Sequence, residues 1–320
     1  MDEDCGLLDP FQCGTIPLAD WLSAGLRWMV SEYRPFFQAI KYPIDQILGG
    51  FDGLLGAVPP TLMILLIGLL AWQIGGRRLG LTVIAALVFA GLIGVWAETM
   101  TTLSIVLTAL VLAVLVGLPL GIWAARSDRA YKVMRPLLDG MQTIPAFVYL
   151  VPVVMLFGIG NVPGVIVTVI FAVAPLIRLT NLGIRQVPVD VIEAMRAFGA
   201  TDRQLLWKAQ IPLALPTIMA GVNQTLMMSL SMVVIASMIS VGGLGQMVLR
   251  GIGRLDVGLA AIGGLGIVML AVVLDRMTQT LSEPKRKPGE TWAQGPIGFL
   301  RGHVKSRQAG LAKPERSGTA

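Results

Sequence analysis

Uninterrupted apolar runs constrain this chain more than any other feature of its sequence. No Asp, Glu, Lys, Arg or His lies between Asp139 and Arg178, or between Lys208 and Arg250. A bilayer core of about 30 Å is crossed by about 20 helical residues, so each run is long enough to span it. Only 14% of the residues are charged, against about 25% in soluble domains. The sequence therefore predicts an all-α, polytopic membrane protein.

Seven segments are predicted to cross the membrane. The first two are short and are separated only by residues 75–78, which predicts a tight helical hairpin. The fourth contains Pro145 and Pro152, where kinks are expected because proline removes a helical hydrogen bond. The predicted spans are residues 57–75, 79–97, 101–124, 140–159, 162–178, 212–240 and 257–275.

These spans divide the chain into four regions. The two ends are polar, and the C-terminal one is basic and rich in Pro and Gly, so it is expected to be largely disordered. The N-terminal one contains a candidate amphipathic helix around Trp21–Val30 that would lie along a membrane surface. In order, the regions are a periplasmic tail (1–56), two leading spans (57–97), a core of five transmembrane helices (98–278) and a cytoplasmic tail (279–320).

The positive charges predict the orientation of the spans. Lys and Arg follow every odd-numbered span, and the other loops are poorer in them, apart from Arg250 and Arg254 after the sixth span. Cytoplasmic loops carry the excess of Lys and Arg. The N-terminus is therefore predicted to lie outside and the C-terminus in the cytoplasm. The charges concerned are Arg77, Arg78, Arg126, Arg129, Lys132, Arg135, Arg178, Arg185, Arg196, Arg203, Lys208, Arg276, Lys285, Arg286 and Lys287.

Several classes of function are disfavoured by what the sequence lacks. It has no G-x-x-x-x-G-K-[ST] pattern for nucleotide binding. The only histidine is His303, so no zinc site or His-dependent nucleophile is predicted, and no cofactor. Its basic residues are not interleaved with aromatic ones, which argues against nucleic-acid binding. The chain is not predicted to be an enzyme. For Cys5 and Cys13, a disulfide and two free thiols both stay open.

The charge-free spans predict a passive conduit. A charge at the bilayer centre costs about 2.5–3.5 kcal/mol on insertion scales, and proteins keep one there for functions such as proton relays. Its absence disfavours a proton-driven carrier, although sodium sites can be built from backbone carbonyls. Two classes remain: a stand-alone channel or secondary carrier, and a conduit whose energy arrives from another subunit.

The loop between the fifth and sixth spans, residues 183–216, favours the second class. Asp190 with Glu193 and Thr201 with Gln204 have the spacing of capping boxes, which predicts two short helices. Gly199 lies between them, where a left-handed residue would end the first helix. The residues expected to supply apolar contacts within the loop are Val191, Ile192, Met195 and Phe198. A loop built from two capped helices is a rigid element that a cytoplasmic partner can bind.

The loop contains Glu193-Ala194, then Gly199, then Ile211-Pro212-Leu213. This pattern resembles the EAA loop of ABC-importer permeases, with Met195 in place of the family's second Ala. In that family the loop docks a short helix into a groove of a separate ATPase. The stretch from Ala194 to Ala260 resembles permeases of glycine betaine/proline betaine importers. Together with the two predicted caps, the resemblance makes the following residues the candidates for coupling to the ATPase: Asp190, Glu193, Ala194, Gly199, Thr201 and Pro212.

The resemblance also implies a type I ABC importer in a bacterial inner membrane. Such an assembly contains two permease copies, two ATPases and one periplasmic binding protein. It implies a betaine-type compatible solute as substrate, with choline or carnitine as the alternative.

A polar stripe on the sixth span is a candidate translocation path. Packing between helices through small residues, which is common in membranes, is the alternative. The glycines of residues 242–253 predict tight turns rather than a phosphate-binding loop, since no strand precedes them. The candidate path residues are Asn223, Thr225, Ser229, Met232 and Ser240.

Overall fold

The computed structural model describes residues 17–282, and every regular element in that range is helical. The prediction of an all-α protein is confirmed. Cys5, Cys13 and His303 lie outside the described residues. Of the two predicted tails, the structure describes residues 17–56 and 279–282. The helices are α1 (Leu18–Ala57), α2 (Pro60–Gly75), α3 (Arg77–Leu92), α4 (Trp96–Arg126), α5 (Asp128–Thr143), α6 (Leu150–Phe157), α7 (Asn161–Arg185), α8 (Val189–Ala197), α9 (Asp202–Leu205), α10 (Ile211–Ala236), α11 (Leu244–Gly253) and α12 (Val257–Ser282).

The helix α7 lies at the centre of the bundle, packed along most of its length against α4 and α10. Small residues allow this close approach. A Cβ added at Gly121 of α4 would lie 2.6 Å from the Cβ of Thr180 on α7. Membrane helices associate through such small-residue contacts because lipid provides no hydrophobic drive between them. The three central helices therefore form a tightly packed unit on which the other helices rest.

Four helices are long and apolar enough to cross a membrane: α4, α7, α12 and the continuous helix Asp202–Ile239, which includes α9 and α10. Two bent pairs raise the number to at most six, against the seven predicted spans. The difference arises in the hairpin, where α2 and α3 have 16 residues each. At 1.5 Å per residue each is about 24 Å long, less than the bilayer core.

The predicted fourth span is broken. The chain bends by 103° between α5 and the helical segment Ala146–Phe157, whose first four residues form a 3₁₀ turn. Ile144 is extended, with ψ at 128°, because the ring of Pro145 disfavours the helical conformation for the residue before it. The kink expected at Pro145 is confirmed, and it is a sharp corner. As a result α5 and the segment Ala146–Phe157 run nearly perpendicular to each other.

The N-terminal helix α1 is much longer than the amphipathic stretch suggested by the sequence. It runs for 40 residues and meets α2 at an angle of 110°. Its second half buries Ile44, Leu48 and Leu55 and packs against α4 and α6. Its first half leaves Trp21 and Trp28 largely exposed. Its location on the periplasmic surface stays a prediction.

The turn after α10 closes one end of the core. Ser240 adopts the left-handed conformation, the Leu244 N–H donates to Thr102 Oγ1 at 2.9 Å, and the Gly242 N–H donates to Asn161 Oδ1 at 2.9 Å. A Cβ at Gly243 would lie 2.4 Å from the Thr102 hydroxyl. The tight turn predicted from the glycines is confirmed, and it packs onto the first turns of α4 and α7.

Candidate functional site

The helix α8 carries the exposed face of the predicted coupling loop. None of its residues is buried. Glu193 and Ala194 are exposed on one side of it, and Val191, Ile192 and Met195 are half-buried on the other. The exposed side has the 3.6-residue spacing of a single helical face. It consists of Asp190, Glu193, Ala194 and Ala197, followed by Phe198 just beyond the helix end.

Phe198 was expected to make apolar contacts within the loop, and this expectation is wrong. The residue follows the last turn of α8, and 92% of its surface is exposed. A large aromatic side chain so fully presented beside a short helix is typical of the residues that fill pockets at protein interfaces. The sequence pattern could not distinguish the exposed Phe198 from the half-buried Val191 and Ile192, because all three residues are apolar.

The capping role predicted for Asp190 is also wrong. The N-cap of α8 is Pro188, no side chain caps the helix, and Asp190 is its second residue. The sequence spacing placed the cap two residues too late because the extended Pro188, with ψ at 134°, already allows Val189 to enter the helix. At this position the Asp190 carboxylate favours the helix through the macrodipole instead. Glu193 makes no capping hydrogen bond and is free to face a partner.

The turn at Gly199 has the predicted geometry. Gly199 has φ at +76°, its N–H donates to the carbonyl of Arg196, and the N–H of Ala200 donates to the carbonyl of Met195. This pair of bonds is a Schellman motif, which glycine favours because other residues are strained at positive φ. The expectation that Gly199 ends the first loop helix in a left-handed conformation is confirmed.

The second predicted capping box is confirmed too. Gln204 N–H donates to Thr201 Oγ1 at 3.3 Å, and Thr201 N–H donates to Gln204 Oε1 at 2.9 Å. The helix it opens is not separate from the sixth span, however. It passes through a π-helical turn at residues 206–210 into α10, with Pro212 in the first turn of α10. The second half of the loop and the sixth span therefore form one continuous helix, Asp202–Ile239.

A single arginine at the end of α7, just before α8, joins α7 to α4 and α5. Arg185, the last residue of α7, pairs with Asp128 at 2.7 Å and donates to Asn181 Oδ1 at 2.8 Å and to the Ala124 carbonyl at 2.9 Å. Its guanidinium also lies 5.6 Å from the centre of the Tyr131 ring. The ends of α4, α5 and α7 thus meet at one side chain, three residues before Pro188.

The sequence identified Arg185 only as one of many charges that orient the spans. A basic residue in the last turn of a helix is a weak signal of a terminal contact. Its partners at Ala124 and Asp128 are distant in sequence, and no local pattern points to them.

The candidate path residues lie mostly inside the bundle. Thr225, Ser229 and Met232 are fully buried against this chain's own helices. Their burial supports the alternative of helix packing. Ser240 is exposed in the turn after α10. Asn223 joins α10 to α12 by donating to Asp275 Oδ1 at 3.2 Å and by accepting a hydrogen bond from the Thr278 hydroxyl. Its part in a path stays a prediction.

A bundle of apolar helices with an exposed helix–turn–helix at one end is typical of a membrane permease that is driven by a separate subunit. Residues 117–287 match the family described as binding-protein-dependent transport system inner membrane component. The chain belongs to this family. It is thus the inner-membrane component of a system that also has a substrate-binding protein and an ATPase.

Two permeases are similar over most of the chain. The glycine betaine/proline betaine transport system permease protein ProW of Escherichia coli K12 is 59% identical over 300 residues, 93% of this chain and 85% of ProW. The glycine betaine/carnitine transport permease protein GbuB of Listeria monocytogenes is 44% identical over 273 residues, 84% of this chain and 96% of GbuB.

The fold has a counterpart of known structure. A chain of the MetNI methionine ABC transporter, in an inward-facing conformation, superposes with a TM-score of 0.54 and 20% identity. The match covers 61% of this chain and 95% of that one. It establishes the fold of an ABC-importer permease for the core, without bearing on substrate.

Proposed function

We propose that this chain translocates a betaine-type compatible solute, glycine betaine or proline betaine, across the bacterial inner membrane. The observation that carries the proposal is the 59% identity with ProW over 93% of the chain. The relative GbuB, whose name includes glycine betaine, supports the same substrate class. Carnitine is the alternative that GbuB favours, and choline stays an alternative of the same kind.

ATP hydrolysis on the partner subunit drives the transport, and this chain performs no catalysis of its own. The exposed face of α8 would dock on the ATPase. Two features support this role: the rigid turn formed by Gly199 and Thr201, and the exposed Glu193 and Phe198 beside it. A stand-alone channel or secondary carrier would not need such an element.

The proposed assembly has two copies of this chain, two ATPases and one periplasmic binding protein. The proposed orientation has the N-terminus outside and the C-terminus in the cytoplasm. It is supported by three basic residues in or beside the loop helices: Arg185 at the end of α7, Arg196 in α8 and Arg203 in α9. This end is cytoplasmic under the positive-inside rule.

The test is uptake by liposomes that contain the chain with its ATPase and binding protein. Radiolabelled glycine betaine should accumulate with ATP inside, and excess unlabelled proline betaine should abolish the uptake. Stronger competition by choline or carnitine would replace the substrate proposed here. Liposomes with the chain alone should accumulate nothing under sodium or proton gradients. Accumulation driven by either gradient would refute the ATP-driven function.

A further inference from the structure

The hairpin of α2 and α3 forms a groove on the edge of the molecule. The groove has a volume of about 270 Å³. Its walls are apolar, with Leu65, Leu69 and Trp72 on α2 and Leu81 and Ile84 on α3. Arg77 lies at one end of it. The groove is therefore a long apolar cleft with a cation at its mouth.

Two glycines set the depth of this groove. A Cβ added at Gly68 would lie 2.3 Å from Ile84 Cγ1, and one added at Gly80 would lie 2.8 Å from Trp72 Cβ. The backbones of α2 and α3 are thus closely apposed at the floor. The larger side chains are displaced to the two sides and form the walls. The shape arises from the packing of the hairpin itself.

The charge at the mouth has no acidic partner among residues 17–282. Arg77 and Arg78 are the first two residues of α3, both are exposed, and the first turn of α3 has no acidic residue. Within residues 17–282 neither arginine forms an ion pair; Arg77 lies 5.8 Å from the centre of the Trp72 ring. A cation at the N-terminus of a helix is unfavourable because that end of the helix dipole is positive. An anion bound here would be stabilised both by the arginine charge and by the helix dipole.

We propose that this groove binds one phospholipid with an anionic headgroup. The acyl chain would lie between the leucine walls, and the headgroup phosphate would contact Arg77 and the N–H groups of the first turn of α3. The outer face of the hairpin is apolar, with Leu62, Leu70 and Leu92 exposed, and lipid is the solvent of such a surface. Basic pockets between membrane helices are known to select anionic headgroups.

Native mass spectrometry of the purified full chain in detergent tests this directly. The chain is titrated with phosphatidylglycerol or with phosphatidylcholine, and the fraction retaining lipid is measured. We expect preferential retention of one phosphatidylglycerol. Arg77→Gln should weaken that retention about fivefold, the effect of about 1 kcal/mol for one basic residue near an anionic lipid.

The neighbouring arginine supplies a matched control. Arg78→Gln removes the same charge from the same helix turn, but Arg78 does not line the groove, so retention should stay within about twofold of the unmodified chain. Leu69→Trp should fill the cleft and reduce retention without changing any charge. Equal losses in the two arginine variants, no preference for phosphatidylglycerol, or a second copy of the chain displacing the lipid would each overturn the proposal. The readout does not depend on transport, so it is independent of the proposed substrate.

Discussion

Replacing Arg185 with methionine should lower both binding-protein-stimulated ATP hydrolysis and uptake. The guanidinium makes three polar contacts, to Asp128, Asn181 and the Ala124 carbonyl, and lies against Tyr131. Hydrogen bonds to a charged group contribute about 1.5–3 kcal/mol each, and exposed ion pairs about 0.2–1 kcal/mol. The side chain is 37% exposed. We therefore assign the whole set a value near the lower end, about 3 kcal/mol.

This magnitude sets the size of the effect. Losing about 3 kcal/mol of contacts raises the population of molecules with a displaced end of α7 about a hundredfold, since 1.4 kcal/mol is a factor of ten. The loop keeps its buried contacts at Val187, Leu205 and Leu206. Binding-protein-stimulated ATP hydrolysis and uptake should therefore both fall about twofold or more without being abolished. The membrane core does not depend on this contact, and the abundance of the variant in membranes should be unchanged.

Arg178 is the matched control for this experiment. It lies on the same helix, has the same side-chain exposure of 37% and pairs with Asp139 of α5 at 2.6 Å, but it is two turns away from the loop. Arg178→Met should keep full stimulation, and Arg185→Lys should be intermediate because it retains the charge but not the forked geometry. Stimulated hydrolysis and uptake both at the unmodified level in Arg185→Met, measured in reconstituted complexes, would refute the anchoring role.

Three further outcomes are expected. Gly199→Val should strain the turn at positive φ and lower stimulated ATP hydrolysis and uptake at normal membrane abundance, whereas full activity would show that the turn is dispensable. Phe198→Ser should weaken ATPase binding by about tenfold or more, measured by co-purification, and unchanged binding would remove Phe198 from the docking face. The orientation can be tested in a chain whose native cysteines are replaced. A cysteine at Thr15 should react with an impermeant thiol reagent in cells stripped of the outer membrane, and one at Ser306 only after the inner membrane is opened. The reverse pattern would contradict the orientation.

The parts of the fold that could be predicted are those encoded within a few residues. α4, α7 and α12 follow from apolar runs, and the Thr201–Gln204 box and the turn at Gly199 follow from local hydrogen bonding. The prediction that Asp190 caps α8 was wrong because the extended conformation of Pro188 lets the helix begin at Val189.

Contacts between distant segments were not predictable from local patterns. The junction at Arg185 joins α7 to Ala124, which is 61 residues away. Residues 140–159 were predicted to be one span from their hydropathy. Hydropathy depends on composition alone and does not indicate where the chain bends. The corner at Pro145 turns the chain by 103° within a stretch that has no charged residue.

The π-helical turn at residues 206–210 sets the rotation of the loop helices about the axis of the sixth span. A π turn is an α-helix with one extra residue, and each residue of an α-helix corresponds to a rotation of about 100°. Here the Ile211 N–H donates to the carbonyl of Leu206, five residues back. Deleting one residue from this turn would restore a regular helix and swing the docking face by about 100°. The direction of the proposed docking face relative to the membrane helix therefore depends on one residue of this turn.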